Sequence, residues 1–251
     1  MSVTASAATD TVILAVRGLT IRFGGIAALA DVSFAVAAGH ITGLIGPNGA
    51  GKTTCFNCIT GFYRPTSGTI TVDGSDVLCL TPHEMVRLRV ARTFQNLELF
   101  SRMSVIDNVM VGAQARRDRP RSERLLRAEA LEALDYLGLA SIASAPVRGL
   151  PFGTRKSVEL ARALAARPGL LLLDEPAAGL GHEDVQQLAG VIRRIRKDFD
   201  TTILMVEHHM QLVMGVCDRI VVLSAGRKLA EGSPQEVQQN PAVVEAYLGG
   251  G

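Results

Sequence analysis

The stretch His40 to Thr54, HITGLIGPNGAGKTT, leaves this chain few ways to fold. Ile41 to Ile45 reads as a short apolar strand, a glycine-rich turn follows, and a helix opens at Gly51. Gly46, Pro47, Asn48, Gly49, Ala50, Gly51, Lys52 and Thr53 spell the phosphate-cradling P-loop pattern, and Thr54 continues into the helix. Glycine is needed because the backbone must curl until successive N–H groups face one anion. The first turn of the helix adds its unsatisfied N–H groups and the positive end of its dipole at the same point. Lys52 is then placed to reach β- and γ-phosphates, and the Thr53 hydroxyl to hold Mg²⁺.

A strand feeding a loop and a helix implies an α/β fold, and 251 residues suit one large domain or a core with one inserted subdomain. The balance of 26 basic against 24 acidic residues, net +2, gives no case for a nucleic-acid partner. No uninterrupted apolar run approaches the roughly 18–20 residues of a membrane span. Residues 1–10 lack the basic start of a secretory signal and are expected to be a flexible tail, in a soluble, cytoplasmic protein. Cys55 and Cys58 form a C-x-x-C pair without a second ligand pair at zinc-finger spacing. They read as small, partly buried residues of the P-loop helix.

Ahead of the P-loop, Val12 to Val16 and Leu19 to Phe23 read as antiparallel strands broken by Arg17-Gly18, and Ala30 to Val36 as a third. Phe23 ends its strand before the Gly24-Gly25 turn, where a ring can stack on a purine; an ordinary core phenylalanine is the competing reading. After the P-loop helix, about Lys52 to Ile59, come a strand over Thr69 to Val72 and a short helix over Pro82 to Arg89. A strand over Val90 to Phe94 then ends in Gln95, whose amide can reach a metal or a water. From Ser104 to Leu137 the spacing turns helical, with helices near Val105 to Ala113 and Arg121 to Leu137. The basic cluster Arg116 to Arg121 between them reads as a solvated turn.

Leu170 to Leu173 form an unbroken apolar run between Pro168-Gly169 and Pro176, as in a parallel strand buried on both faces. Its carboxyl end carries Asp174 and Glu175, and ligands of open α/β sheets bind at that end. Adjacent strand residues point opposite ways, so the two acids are expected to divide the work. Asp174 is the expected partner of Mg²⁺, and Glu175 is placed to take a proton from an attacking water. Thr202 to Val206 repeats the pattern and ends in Glu207-His208-His209, which sets His208 where it can hydrogen-bond a γ-phosphate.

Taken together, these residues resemble the nucleotide-binding subunit of an ABC transporter over nearly the whole chain. The motifs stand in that family's order: Phe23 at the A-loop, GPNGAGKTT as Walker A, Gln95 as the Q-loop, Leu150-Pro151-Phe152-Gly153-Thr154 at the signature, LLLLDE as Walker B, and His208 as the switch histidine. Arg22-Phe23-Gly24-Gly25, Val90 to Asn96, Asp174 to Leu180, and the tail from Glu231 through Gly249 resemble the branch that imports branched-chain and other hydrophobic amino acids. The resemblance implies a P-loop NTPase of ABC type, with a mainly parallel central sheet, an N-terminal antiparallel β subdomain and an inserted helical subdomain. The core would span about 11–96 and 166–251, and the helices about 97–165.

It further implies ATP and Mg²⁺ as cofactors, with Thr53, Gln95 and Asp174 on the metal, and with Lys52, Glu175 and His208 in catalysis. A second ATPase subunit, identical or not, would close head to tail so that the signature meets ATP in trans. The other expected partners are two permease subunits and an extracytoplasmic solute-binding protein, at the cytoplasmic face of the membrane, with Asn96 to Met103 receiving the permease. Urea, lipid or lipopolysaccharide transport is the alternative within transporters. A soluble ABC ATPase is the alternative outside them, although the span from Gln95 to Leu150 has no sustained heptads and only one Walker A is present. Two positions depart from the family pattern. Pro151 stands where a serine is usual, removing a hydroxyl and an N–H, although proline suits a first helical position and Arg155 and Lys156 add charge nearby. Gly181-His182 stands where the D-loop usually has Asp or Asn; His182 either substitutes or caps the following helix.

Overall fold

The structure, a computed structural model, describes residues 11–115 and 121–248. The expected N-terminal tail and most of the Arg116–Arg121 cluster lie outside them. The chain runs β1 (Val12–Phe23), β2 (Ile26–Ala37), β3 (Ile41–Ile45), α1 (Lys52–Ile59), β4 (Ser67–Val72), β5 (Ser75–Asp76), a 3₁₀ turn (Met85–Leu88) and β6 (Val90–Arg92). It continues through α2 (Val105–Ala115), α3 (Glu123–Tyr136), a 3₁₀ turn (Ala140–Ile142), α4 (Phe152–Ala165), β7 (Leu170–Asp174), α5 (His182–Asp198) and β8 (Thr202–Val206). The last elements are α6 (Met210–Val216), β9 (Arg219–Ser224), β10 (Arg227–Gly232), α7 (Pro234–Gln239) and α8 (Pro241–Leu248).

Two sheets organise these elements. One is antiparallel, in the order β2-β1-β4-β5; the other has six strands in the order β10-β9-β3-β8-β7-β6. In the second sheet all neighbours are parallel except β9 and β10. Successive residues of β7 serve opposite faces, as the two-residue period requires. Leu170 and Leu172 join Phe56 and Ile59 of α1 and the inner face of the antiparallel sheet. Leu171 and Leu173 join α5 and α6 through Ile192, Ile195, Leu212 and Val213. Burial on both sides is why β3, β7 and β8 read as continuous apolar runs. Helices α2, α3 and α4 enclose a third cluster around Val105, Val109, Ala130, Leu134, Val158 and Ala161. Helix α4 also turns Leu160 and Leu164 toward the central sheet, which anchors this helical layer to the rest.

Several sequence expectations are corrected. Arg17-Gly18 does not break the first strand: β1 is continuous, with Gly18 at φ +60° inside a register shift and its N–H donated to Ser33 Oγ at 2.8 Å. Strand β2 starts at Ile26 rather than Ala30, because its early residues pair with the end of β1 and Ala30 N–H donates to the Gly226 carbonyl. The helix expected over Pro82 to Arg89 shrinks to a single 3₁₀ turn, stopped by Arg89 at φ +55°. Strand β6 ends at Arg92; Thr93 still donates its N–H to the Leu172 carbonyl at 3.0 Å, and Phe94 and Gln95 lie beyond the strand.

Candidate functional site

The order β3-β8-β7 sets three carboxyl ends side by side: the P-loop after β3, Glu207-His208 after β8, and Asp174-Glu175 after β7. The P-loop is as tightly wound as its glycines imply. Gly46 sits at φ +151°, and a Cβ there would fall 2.1 Å from the Leu223 carbonyl oxygen. Gly51, at φ +100°, caps α1 without a side chain. Lys52 is buried, and its ammonium donates to the Gly46 carbonyl at 2.7 Å and the Pro47 carbonyl at 2.9 Å. Burial pulls its pKa below the usual lysine range, and the Glu175 carboxylate opposes that fall. Thr53 is exposed one residue on.

Glu175 is where the predicted residues converge. It sits at φ +48°, its N–H donates to the Val206 carbonyl, and its Oε2 accepts from Gln95 Nε2 at 2.9 Å. His208 Nδ1 stands 3.9 Å from the same oxygen. A bound carboxylate, an amide and an imidazole therefore share one opening. Asp174 points to a different set of partners. Its Oδ2 accepts from Arg92 Nη2 at 2.7 Å, whereas its buried Oδ1 has no hydrogen-bond partner among the described residues. Burial raises the Asp174 pKa; Arg92 holds it down and Glu175 adds to the rise. An orphaned carboxylate oxygen is a hard donor of the kind Mg²⁺ takes, and a threonine hydroxyl and an amide oxygen are donors of the same kind.

The remaining predicted residues divide. Phe23 is 49% exposed and meets Tyr63 edge to face at 5.3 Å between ring centres, so the competing reading as a core phenylalanine fails. Leu150 to Thr154 open α4 at a separate place. Phe152 is exposed and rests against Gly179, and Gly153 lies beside Leu180. Pro151 is not at the first helical position: it is the N-cap, which has no side-chain acceptor for the first-turn N–H groups. Lys156, expected to add charge near the signature, donates to the Glu175 carbonyl at 2.8 Å. Arg155 lies over the Phe152 ring at 5.7 Å. His182 does not cap α5; Gly181 holds the N-cap position and the His182 ring contacts Gln186. Cys55 and Cys58 are buried more completely than expected, and burial pushes the Cys58 thiol up to about 11, so neither is poised for redox chemistry.

Two residues were missed from sequence. Glu207 is fully buried, with Oε2 accepting from the N–H groups of His208 and His209 at 2.9 Å and Oε1 from Ala177 at 2.7 Å. It ties the histidine loop to the segment after Glu175; an acid directly after a buried strand was the available signal. Arg92 is the other, a cation within a three-residue strand two pairings upstream of Asp174.

Comparison with known proteins fits this geometry. The ABC transporter family model matches residues 29–178, and the model for branched-chain amino acid ATP-binding cassette transporters matches residues 227–251. The high-affinity branched-chain amino acid transport ATP-binding protein LivG of Salmonella typhimurium is 43% identical, and its counterpart BraF of Pseudomonas aeruginosa is 41% identical. Each match covers 94% of this chain and 98% of the relative. A crystal structure of the ADP conformation of an ATP-binding cassette of an ABC transporter superposes with a TM-score of 0.86 at 29% identity, over 95% of this chain and 99% of that one. The chain belongs to the ABC transporter family, among its ATP-binding cassettes.

Proposed function

We propose that this chain binds and hydrolyses ATP to power uptake of branched-chain and other hydrophobic amino acids through a membrane transporter. The observation that carries the reading is the adjacency of the ends of β6, β7 and β8, with Gln95, Glu175 and His208 drawn to one opening next to the β3 end that bears the P-loop. In the proposed division of labour, Lys52 and the amides of Gly46 to Thr54 hold the phosphates, and Phe23, with Tyr63 behind it, stacks on the base. Thr53, Gln95 and Asp174 hold Mg²⁺, which would neutralise charge between the β- and γ-phosphates. Glu175 polarises the attacking water and His208 holds the γ-phosphate. Among the described residues, the contacts of Leu150 to Thr154 run to their own helical layer and to the segment after Glu175. This supports a signature offered to the ATP of a second cassette, head to tail.

No helix among the described residues is long and apolar enough to cross a membrane. The proposed route to the membrane is a groove of about 360 Å³ between the central sheet and the helical layer, lined by Phe62, Met85, Phe94, Phe100 and Val111. It includes part of the expected Asn96–Met103 docking segment. One of a pair of permease subunits would seat here, at the cytoplasmic face, with an extracytoplasmic solute-binding protein feeding the pair. The test is uptake into vesicles holding the assembled transporter: ATP-driven entry of leucine, isoleucine or valine is expected. Phosphate release with no such entry would overturn the substrate assignment, and no phosphate release would overturn the ATPase reading.

Pro151 makes a separate prediction. Serine there restores an N-cap acceptor, worth about 1 kcal/mol to α4, and returns a hydroxyl to the trans site. Pro151→Ser is expected to raise both the melting temperature and ATP-driven dimerisation. Unchanged values of both would show that the proline weakens nothing.

A further inference from the structure

Arg92 is buried at 8% side-chain exposure between the docking groove and the strand that bears Asp174. Its guanidinium is held from three directions. Nη1 donates to Asn57 Oδ1 at 2.8 Å and Thr60 Oγ1 at 2.9 Å, both near the end of α1, while Nη2 donates to Asp174 Oδ2 at 2.7 Å. Three rings surround its carbon: Phe94 at 5.1 Å, Phe56 at 5.6 Å and Phe62 at 5.7 Å. Two of those rings, Phe62 and Phe94, also line the groove, as does Arg92 itself, and Phe62 is half exposed there.

We propose that Arg92 is a positioning residue for the metal: by fixing Oδ2 of Asp174 it leaves Oδ1 alone to face the hydrated ion, and its own position is set from the groove through Phe62 and Phe94. This rests on the nucleotide–metal reading of the site and deepens it. A planar fork with fixed donors can span Asn57, Thr60 and Asp174 at once, whereas a lysine ammonium cannot. Residues that orient a metal's ligand typically change metal affinity by about 10- to 100-fold when replaced. A partner that moves Phe62 or Phe94 would thus change metal affinity, and by reciprocity a bound metal would change affinity for that partner.

The experiment compares ATP affinity in Mg²⁺ with ATP affinity in EDTA, by equilibrium titration of the full chain, for the native protein, Arg92→Lys and Phe62→Ala. The native protein should bind ATP more tightly with Mg²⁺. In Arg92→Lys that gain should shrink about tenfold or more, with affinity in EDTA within about twofold of native, a pattern that mere loss of packing would not give. Phe62 is half exposed and its truncation leaves the buried ties in place, so Phe62→Ala should fold normally and lose about a threefold part of the gain. A folded Arg92→Lys that keeps the whole Mg²⁺ gain overturns the proposal. If Arg92→Lys does not fold, an undiminished gain in Phe62→Ala overturns it. A native protein with no Mg²⁺ gain takes down the reading of the site itself, which separates that failure from this one.

Discussion

Glu175→Gln is expected to slow ATP hydrolysis by about 10²- to 10⁴-fold, the range that a positioned general base supplies, while leaving ATP affinity within a few-fold of native. The amide keeps the shape of the carboxylate and can still accept from Gln95 Nε2, which sits 2.9 Å from Oε2. It removes the negative charge and with it the capacity to take a proton. Glu175 holds a left-handed backbone conformation, φ +48°, that a bulky residue adopts at some cost, and its N–H is tied to Val206. The surrounding structure therefore fixes where the side chain emerges, and the substitution is not expected to move it. Single-turnover hydrolysis separates this chemical step from binding and release. A near-native rate in that assay would remove Glu175 as the base.

Gly46→Ala is expected to lower stability by about 3 kcal/mol, or roughly 6–12 °C in melting temperature for a chain of this size, and to abolish measurable ATP binding. The methyl would fall 2.1 Å from the Leu223 carbonyl oxygen and 3.1 Å from the Ala50 Cβ, so either β9 or the loop must shift. The Gly46 carbonyl is one of the two that anchor Lys52, so a moved loop also misplaces that ammonium. Gly49→Ala is the matched control. Gly49 also has positive φ, +78°, but a Cβ there meets nothing within 4 Å. Backbone strain alone, about 1–2 kcal/mol, should be its cost. Thermal melts and ATP titrations of the two variants side by side would show equal effects if crowding against β9 did not matter.

What sequence could reveal follows from where the signal is local. β3, α1, β7 and β8 stand where their residues place them, because a strand buried on both faces must be apolar throughout and a P-loop must be followed by a helix. The convergence of Gln95, Glu175 and His208 was legible as a set of strand ends but not as a contact, since strand order decides which ends are neighbours. Departures arise where long-range pairing overrides a local rule. Gly18 reads as a strand break until Ser33 takes its N–H, and Arg92 reads as one polar residue in a short strand until Asp174 is seen beside it. Lys156 reads as added charge near the signature until the Glu175 carbonyl, which lies on another element, is seen to hold it.

The central claim is that the P-loop and the ends of β7 and β8 form one site for ATP and its metal. A crystal structure of Glu175→Gln grown with ATP and Mg²⁺ tests it most directly. The triphosphate should lie in the curl of Gly46 to Thr54, Phe23 against the base, and the metal between Thr53, Gln95 and Oδ1 of Asp174. Nucleotide bound away from that curl, or a metal that ignores Asp174, would contradict the account.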